Sequence, residues 1–499
     1  MATSTVTCFR QVTDIMVAMV ALGLVQPTYP YSEPLHLTPY LDSGDSETAR
    51  NLSKVRDVCN PEARSDCDVT VPESYAGYLT VDRSLGKHMF FWYFPSQRPA
   101  APVAIWLNGG PGVTSMLGLF WENGPLQPKR QNHTGCRSDE RSCDRSQNAD
   151  RYIPEEFELR NGSWVNVLSM LYIDNPVGTG YSYQEQENPE DIITQSSYTE
   201  DLYQFVKQFY QLFPDSHSKE LYIGGQSYAG KYVTALAYRI HQHISRGESN
   251  LPLTGIYMGG PFFAPEIMVP VLSDYFYNLG VLSRSQLARH KARTKTFLLR
   301  YSLGLLPRHV TTAEVSRNIF GRDFLWRDNF VTAEIPGYDV VQDIMISERI
   351  RQAVHVGNVP YLAINVTLNE KFGHDFLSST REKLAALLDT GDLKVLIFNG
   401  DYDAITNTGA IEEAVLRTPW VGQADYANKS RHAWFLPSQS AQIQAISLAG
   451  FFTSARNLCR VIVHGAGHQV PHDQLDITRK MMEQFVHSGC VTSSTHGPP

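Results

Sequence analysis

Six short apolar runs, each ending in a glycine-rich or polar turn, most constrain what this chain can become: "APVAIWLNGG", "VLSMLYIDNPVG", "ELYIGGQS", "LTGIYMGG", "LKVLIFNGDYD" and "RVIVHGAG". Their apolarity is continuous rather than alternating, which marks strands covered on both faces, as in a parallel sheet. Helical patterns such as "YTEDLYQFVKQFYQLF" and "KYVTALAYRIHQHI" lie between them. Such alternation predicts a doubly wound α/β sheet with chemistry at the carboxyl ends of its strands. Residues 262 to about 340 break the rhythm and read as an inserted, mostly helical cap. "TGCRSDERSCDRSQNADRYIPEEFE" reads as a charged surface loop.

The apolar stretch Ile15–Val25 follows Arg10 and precedes a proline, the pattern of a secretory signal peptide over residues 1–25. It is short for a membrane span, and no later segment is long and apolar enough to be one. Residues 26–499 then form the working domain. Sequons at Asn51, Asn132, Asn161, Asn365 and Asn428 fit a glycosylated, secreted or lysosomal protein. So does the even cysteine set that remains without the signal: Cys59, Cys67, Cys136, Cys143, Cys459 and Cys490. Pairing Cys59 with Cys67 and Cys136 with Cys143 would close short loops and leave Cys459 with Cys490, but the sequence leaves connectivity open. A formal net charge of −8 with no basic tract argues against a nucleic-acid partner.

"ELYIGGQSYAGKYVTALAYRI" reads as strand, tight turn and helix, with Ser227 at the turn. That is the setting of a nucleophile elbow, where the adjoining helix N-terminus favours developing negative charge. An ordinary strand-to-helix turn has the same local look. The order of the downstream polar residues favours a nucleophile: Asp401 and Asp403 come after one strand, then His468 after another. A serine nucleophile needs a base for its proton and a carboxylate to orient that base. His464, His468 and His472 are spaced like metal ligands on a helix, but Gly465, Gly467 and Pro471 among them disfavour the helix, and no metal or cofactor is expected.

Taken together, "WLNGGPG", "ENGPL", "LYIDNPVGTGYSY", "GGQSYAGKY", "IRQAVHVGN", "NGDYDAITN" and "GAGHQVPHDQ", in order from about Tyr75 to Phe485, resemble the serine carboxypeptidases, especially the animal vitellogenic-like members. The resemblance implies an α/β-hydrolase fold, a mostly parallel central sheet with flanking helices and an inserted helical cap. It also implies removal of single residues from the free C-termini of peptides through an acyl-enzyme, usually at acidic pH. Position by position, Ser227 resembles the nucleophile, His468 the base, and Asp403 rather than Asp401 the orienting carboxylate. The N–H groups of Gly110 and Tyr228 would form the oxyanion hole. Asn108, Gly109 and Glu122 match three of the four groups that hold a substrate's terminal carboxylate, and Gln226 stands where the family has a second glutamate. Val113 and Thr114 replace a common Cys-Ser, and Leu475 replaces a usual proline.

Gln226 changes the electrostatics expected of that site. An acidic side chain holds a carboxylate only while protonated, whereas glutamine offers N–H donors at any pH. The substrate's carboxylate is then expected to face at most one titrating partner, Glu122. Asn175 and Tyr181 read either as pocket wall or as loop packing, and Trp106 and Trp121 as core. An esterase or acyltransferase on the same scaffold, or a protective binding protein without turnover, are the competing readings. A homodimer is compatible with the sequence.

Overall fold

The computed structural model describes residues 33–56, 58, 71–130, 152–186, 192–306, 328–329, 331, 337–437 and 446–493. The expected signal segment 1–25, Asn132, Cys59, Cys67, Cys136 and Cys143 lie outside these residues. Thirteen strands are present among the described residues: β1 (Tyr75–Asp82), β2 (Lys87–Phe94), β3 (Val103–Leu107), β4 (Leu126–Arg130), β5 (Tyr152–Leu159), β6 (Ser169–Ile173), β7 (Tyr183–Gln184), β8 (Leu221–Gln226), β9 (Leu253–Gly259), β10 (Lys394–Gly400), β11 (His432–Pro437), β12 (Ile446–Ala455) and β13 (Leu458–Val463).

Eleven of them form one sheet in the order β1-β2-β6-β3-β8-β9-β10-β13-β12-β11, with β7 on β2. Neighbours from β6 through β13 are parallel, and these six strands are the six apolar runs of the sequence. Strands β1, β2, β11 and β12 extend both edges antiparallel. The continuous apolarity follows from the two faces. In β3, Val103, Ile105 and Leu107 enter one core cluster, beneath the helices Gln195–Leu212 and Ala229–Ser245. Ala104 and Trp106 enter a second core on the opposite face, with Trp92 and Trp164. This is the α/β-hydrolase architecture expected from the sequence.

Between β9 and β10 the described chain is helical, including Pro265–Asn278, Arg284–Ser302 and Tyr338–Ile346. Part of the expected surface loop is instead a strand, because β5 pairs antiparallel with β4 and Phe157 stacks on Phe120 at 5.5 Å, which gives this edge an apolar anchor. A disulfide joins Cys459 on β13 to Cys490, just beyond the helix Leu475–Ser488. No helix among the described residues is long and apolar enough to cross a membrane.

Candidate active site

The carboxyl ends of β3, β8, β10 and β13 deliver four turns to one place. At the end of β8, Ser227 takes a φ of 61°, in the left-handed region. Such a conformation persists in a non-glycine residue only where its surroundings enforce it. Here the Ser227 N–H donates to the Gly259 carbonyl at 2.9 Å, and the Ser227 carbonyl accepts from Gly230 at 3.0 Å and Phe262 at 2.8 Å. The turn is tight: a Cβ on Gly225 would lie 2.2 Å from the Leu107 carbonyl oxygen. Ser227 is left half-exposed at the cavity.

Asp403 follows β10 and is fully buried. Its Oδ1 accepts the N–H groups of Ile405 at 2.8 Å and Thr406 at 2.9 Å, and its Oδ2 lies 2.9 Å from His468 Nδ1. With Nδ1 engaged, Nε2 is the nitrogen left for chemistry. Burial opposes a charged imidazole, but Asp403, joined by Asp328 and Glu122, outweighs it and raises the His468 pKa. Ser227 and His468 line the same cavity, of about 450 Å³. Asp401 pairs elsewhere, with His464 at 2.7 Å, and His472 stacks on Trp121. The three evenly spaced histidines thus go to three different partners.

Asn108 and Gly109 follow β3. The Trp106 indole donates to Asn108 Oδ1 at 2.7 Å, which turns the amide nitrogen toward Glu122 Oε1 at 3.0 Å. Gln226 Nε2 donates to the same oxygen at 2.8 Å. Trp106 is therefore more than core: it fixes which end of Asn108 faces Glu122. Glu122 is 1 % exposed rather than a surface acid, and its Oε2 has no partner among the described residues. Burial pushes its pKa up to about 8, so below that value it carries a proton. Asn108, Gly109 and Gln226 line the cavity, while Glu122 bonds to the two amides without joining the lining.

The N–H groups of Gly110 and Tyr228 belong to residues lining the same cavity and donate no backbone hydrogen bond among the described residues. Close approach is required here, since a Cβ on Gly109 would stand 2.5 Å from the Tyr228 nitrogen. Tyr228 is held from below, its hydroxyl donating to Asp375 Oδ2 at 2.5 Å.

Thr406, the apolar walls and Asp328 are not singled out in the sequence. Thr406 Oγ1 sits 2.7 Å from the Gly260 carbonyl, 3.1 Å from Asp403 Oδ2 and 3.2 Å from His468 Nδ1. Its position three residues after Asp403 is the one available signal. Apolar walls come from Phe262, Val269, Leu272 and Phe376. Asp328 lines the cavity as well, bringing a carboxyl from the 262–340 stretch. Asn175 and Tyr181 are not in the lining; Tyr181 is buried and bonds to the Met345 carbonyl, as loop packing.

A family model described as serine carboxypeptidase matches residues 65–488. The chain is 31% identical over 473 residues to the probable serine carboxypeptidase CPVL of Homo sapiens, covering 91% of this chain and 90% of that one. It is 29% identical to the venom serine carboxypeptidase of Apis mellifera, covering 91% of each chain. It is 28% identical to the vitellogenic carboxypeptidase of Aedes aegypti, covering 93% of each. Among solved structures it matches Kex1(delta)p, a prohormone-processing carboxypeptidase from Saccharomyces cerevisiae, with a TM-score of 0.73 at 18% identity, over 88% of this chain and 96% of that one. At that identity the match speaks for the fold.

Proposed function

The chain belongs to the serine carboxypeptidase family, and on that premise we propose that Ser227, His468 and Asp403 carry out acyl transfer from the C-terminal peptide bond. His468 Nε2 takes the Ser227 proton as the hydroxyl attacks the scissile carbonyl, and returns it to the leaving amino acid. Asp403 keeps Nδ1 protonated and steadies the imidazolium. The N–H groups of Gly110 and Tyr228 receive the developing oxyanion. Water then repeats the attack on the acyl-enzyme. No step calls for a metal or cofactor.

The observation that carries the exopeptidase reading is the pair of amides beside Ser227. Each of Asn108 and Gln226 gives one N–H to Glu122 Oε1 and has a second N–H for a ligand. Together with the Gly109 N–H they form a neutral donor cradle for a terminal carboxylate. Glu122 orients the cradle and, protonated below about 8, adds no charge behind it. Above that value its ionisation repels the substrate's carboxylate, so binding is expected to weaken as pH rises past about 8. A signal peptide over 1–25 and secretion or lysosomal delivery complete the proposal.

Blocked dipeptides with a free or an amidated C-terminus test it. Cleavage of the free acid alone, abolished when a fluorophosphonate labels Ser227, is the expected result. Labelling without peptide cleavage would point to ester chemistry, and absence of both to a binding protein.

A further inference from the structure

The helix Arg284–Ser302 carries six cations, Arg284, Arg289, Lys291, Arg293, Lys295 and Arg300, and no acid, in a chain whose formal net charge is −8. They form no run in the sequence; the helical period gathers them. Arg284, Lys291 and Lys295 fall at i, i+7 and i+11, one row along the axis, and Arg289, Arg293 and Arg300 fall at i, i+4 and i+11, a second row. All six are exposed. The opposite side, with His290, Thr294 and Phe297, is the buried one. Among the described residues only Lys291 of the six has an ion pair, with Asp274 of the helix Pro265–Asn278 at 2.6 Å.

Between the two rows runs a ridge without charge: Ser285, Ala288, Ala292, Thr296, Leu299 and Leu303, spaced by three and four residues and all exposed. It becomes more apolar toward its end. There Leu299 is 56 % exposed, Leu303 61 %, and Leu305 just beyond them 60 %. A hydrocarbon ridge flanked on both sides by lysine and arginine is the geometry of a helix lying in a bilayer interface: the ridge sinks among the acyl chains while the cations reach the anionic headgroups. A soluble polyanion would meet the two rows and leave the leucines in water.

We propose that the helix Arg284–Ser302 docks this protein on membranes that contain anionic lipid, as a peripheral contact in the plane of the bilayer. No span is needed for it. The helix packs on Pro265–Asn278, whose Val269 and Leu272 line the catalytic cavity, so docking brings the cap of that cavity to the headgroup layer. The inference goes beyond the catalytic reading and does not rest on it.

The test is cosedimentation of the full chain with vesicles of phosphatidylcholine alone and of phosphatidylcholine with roughly one third phosphatidylserine, at low and high salt. Binding to the anionic vesicles alone, weakened by salt, is the expected result. Each cation near an anionic surface contributes about fivefold to partitioning, so Arg289→Gln, Arg293→Gln and Arg300→Gln combined should weaken binding about a hundredfold. Leu299→Ser with Leu303→Ser should weaken it about tenfold and leave retention on heparin–agarose unchanged. All five positions are exposed, so the thermal midpoint of each variant should match the wild type. No binding to anionic vesicles, equal binding to both kinds, or binding kept by the arginine variant would overturn the proposal. So would loss in the arginine variant with none in the leucine variant, because the rows would then hold any polyanion and the ridge would have no part. Should a variant not fold, the wild-type comparison of the two vesicles still decides. Peptide cleavage enters none of these readouts, so this inference and the carboxypeptidase reading fail separately.

Discussion

The floor of the cavity and its wall are built on different principles. The floor consists of strand ends, where Ser227, Asp403, His468 and Asn108 are fixed by backbone bonds and short turns; Asp403 Oδ1 alone accepts two N–H groups. The wall is assembled from side chains such as Phe262, Leu272, Asp328 and Phe376, supplied outside the strands. A floor fixed by backbone bonds and short turns holds reacting atoms in register, which chemistry requires. A wall of side chains meets the side chains of the substrate, which selection requires. The contrast implies that floor variants lose turnover while wall variants change preference.

The largest effect should come from Ser227→Ala, with kcat/KM falling on the order of 10⁴–10⁶ while the thermal midpoint holds. Thermal unfolding beside peptide turnover checks both halves; a loss of tenfold or less would break the floor's claim to the chemistry. Asp403→Asn should cost on the order of 10⁴ in kcat with KM little changed, because the imidazole loses the partner that sets its tautomer. Steady-state kinetics separate the two parameters. On the wall, Leu272→Ala should instead alter the ratio of kcat/KM between bulky and small terminal side chains by about tenfold. An equal loss on every substrate would show wall and floor to be one unit.

Gln226→Glu probes their junction and should have the smallest effect. Glu122 titrates from about 8 in the native site, and a second carboxyl beside it makes the pair share a proton and ionise earlier. Below pH 5 the KM of variant and wild type should agree. Near pH 7 the variant's should be about threefold higher or more, a difference of under 1 kcal/mol. Identical KM profiles with pH would mean that the amide at this position has no electrostatic consequence.

The same contrast explains what the sequence disclosed. All six parallel strands were legible because each is buried on both faces, a condition that only a continuous apolar run satisfies. The antiparallel strand β12 was not: it mixes exposed and buried positions, so its run looks like loop. Ser227, Asp403 and His468 were singled out because each follows a readable strand, and the fold sets His468 2.9 Å from Asp403 and on the same cavity as Ser227. Gln226 was visible as a departure at a recognised position, but its bond to Glu122 was not, since the two lie 104 residues apart. Asp328 gave no signal at all. It sits in a stretch without periodicity, and only its approach to His468 distinguishes it from a surface aspartate.

The Cys459–Cys490 bridge spans 31 residues, and His468 lies inside the ring it closes. A protease that nicks this segment therefore releases nothing: both pieces travel together on an unreduced gel and separate only when thiol is added. The bridge thus keeps the segment that bears the imidazole tied to the sheet after a single cut.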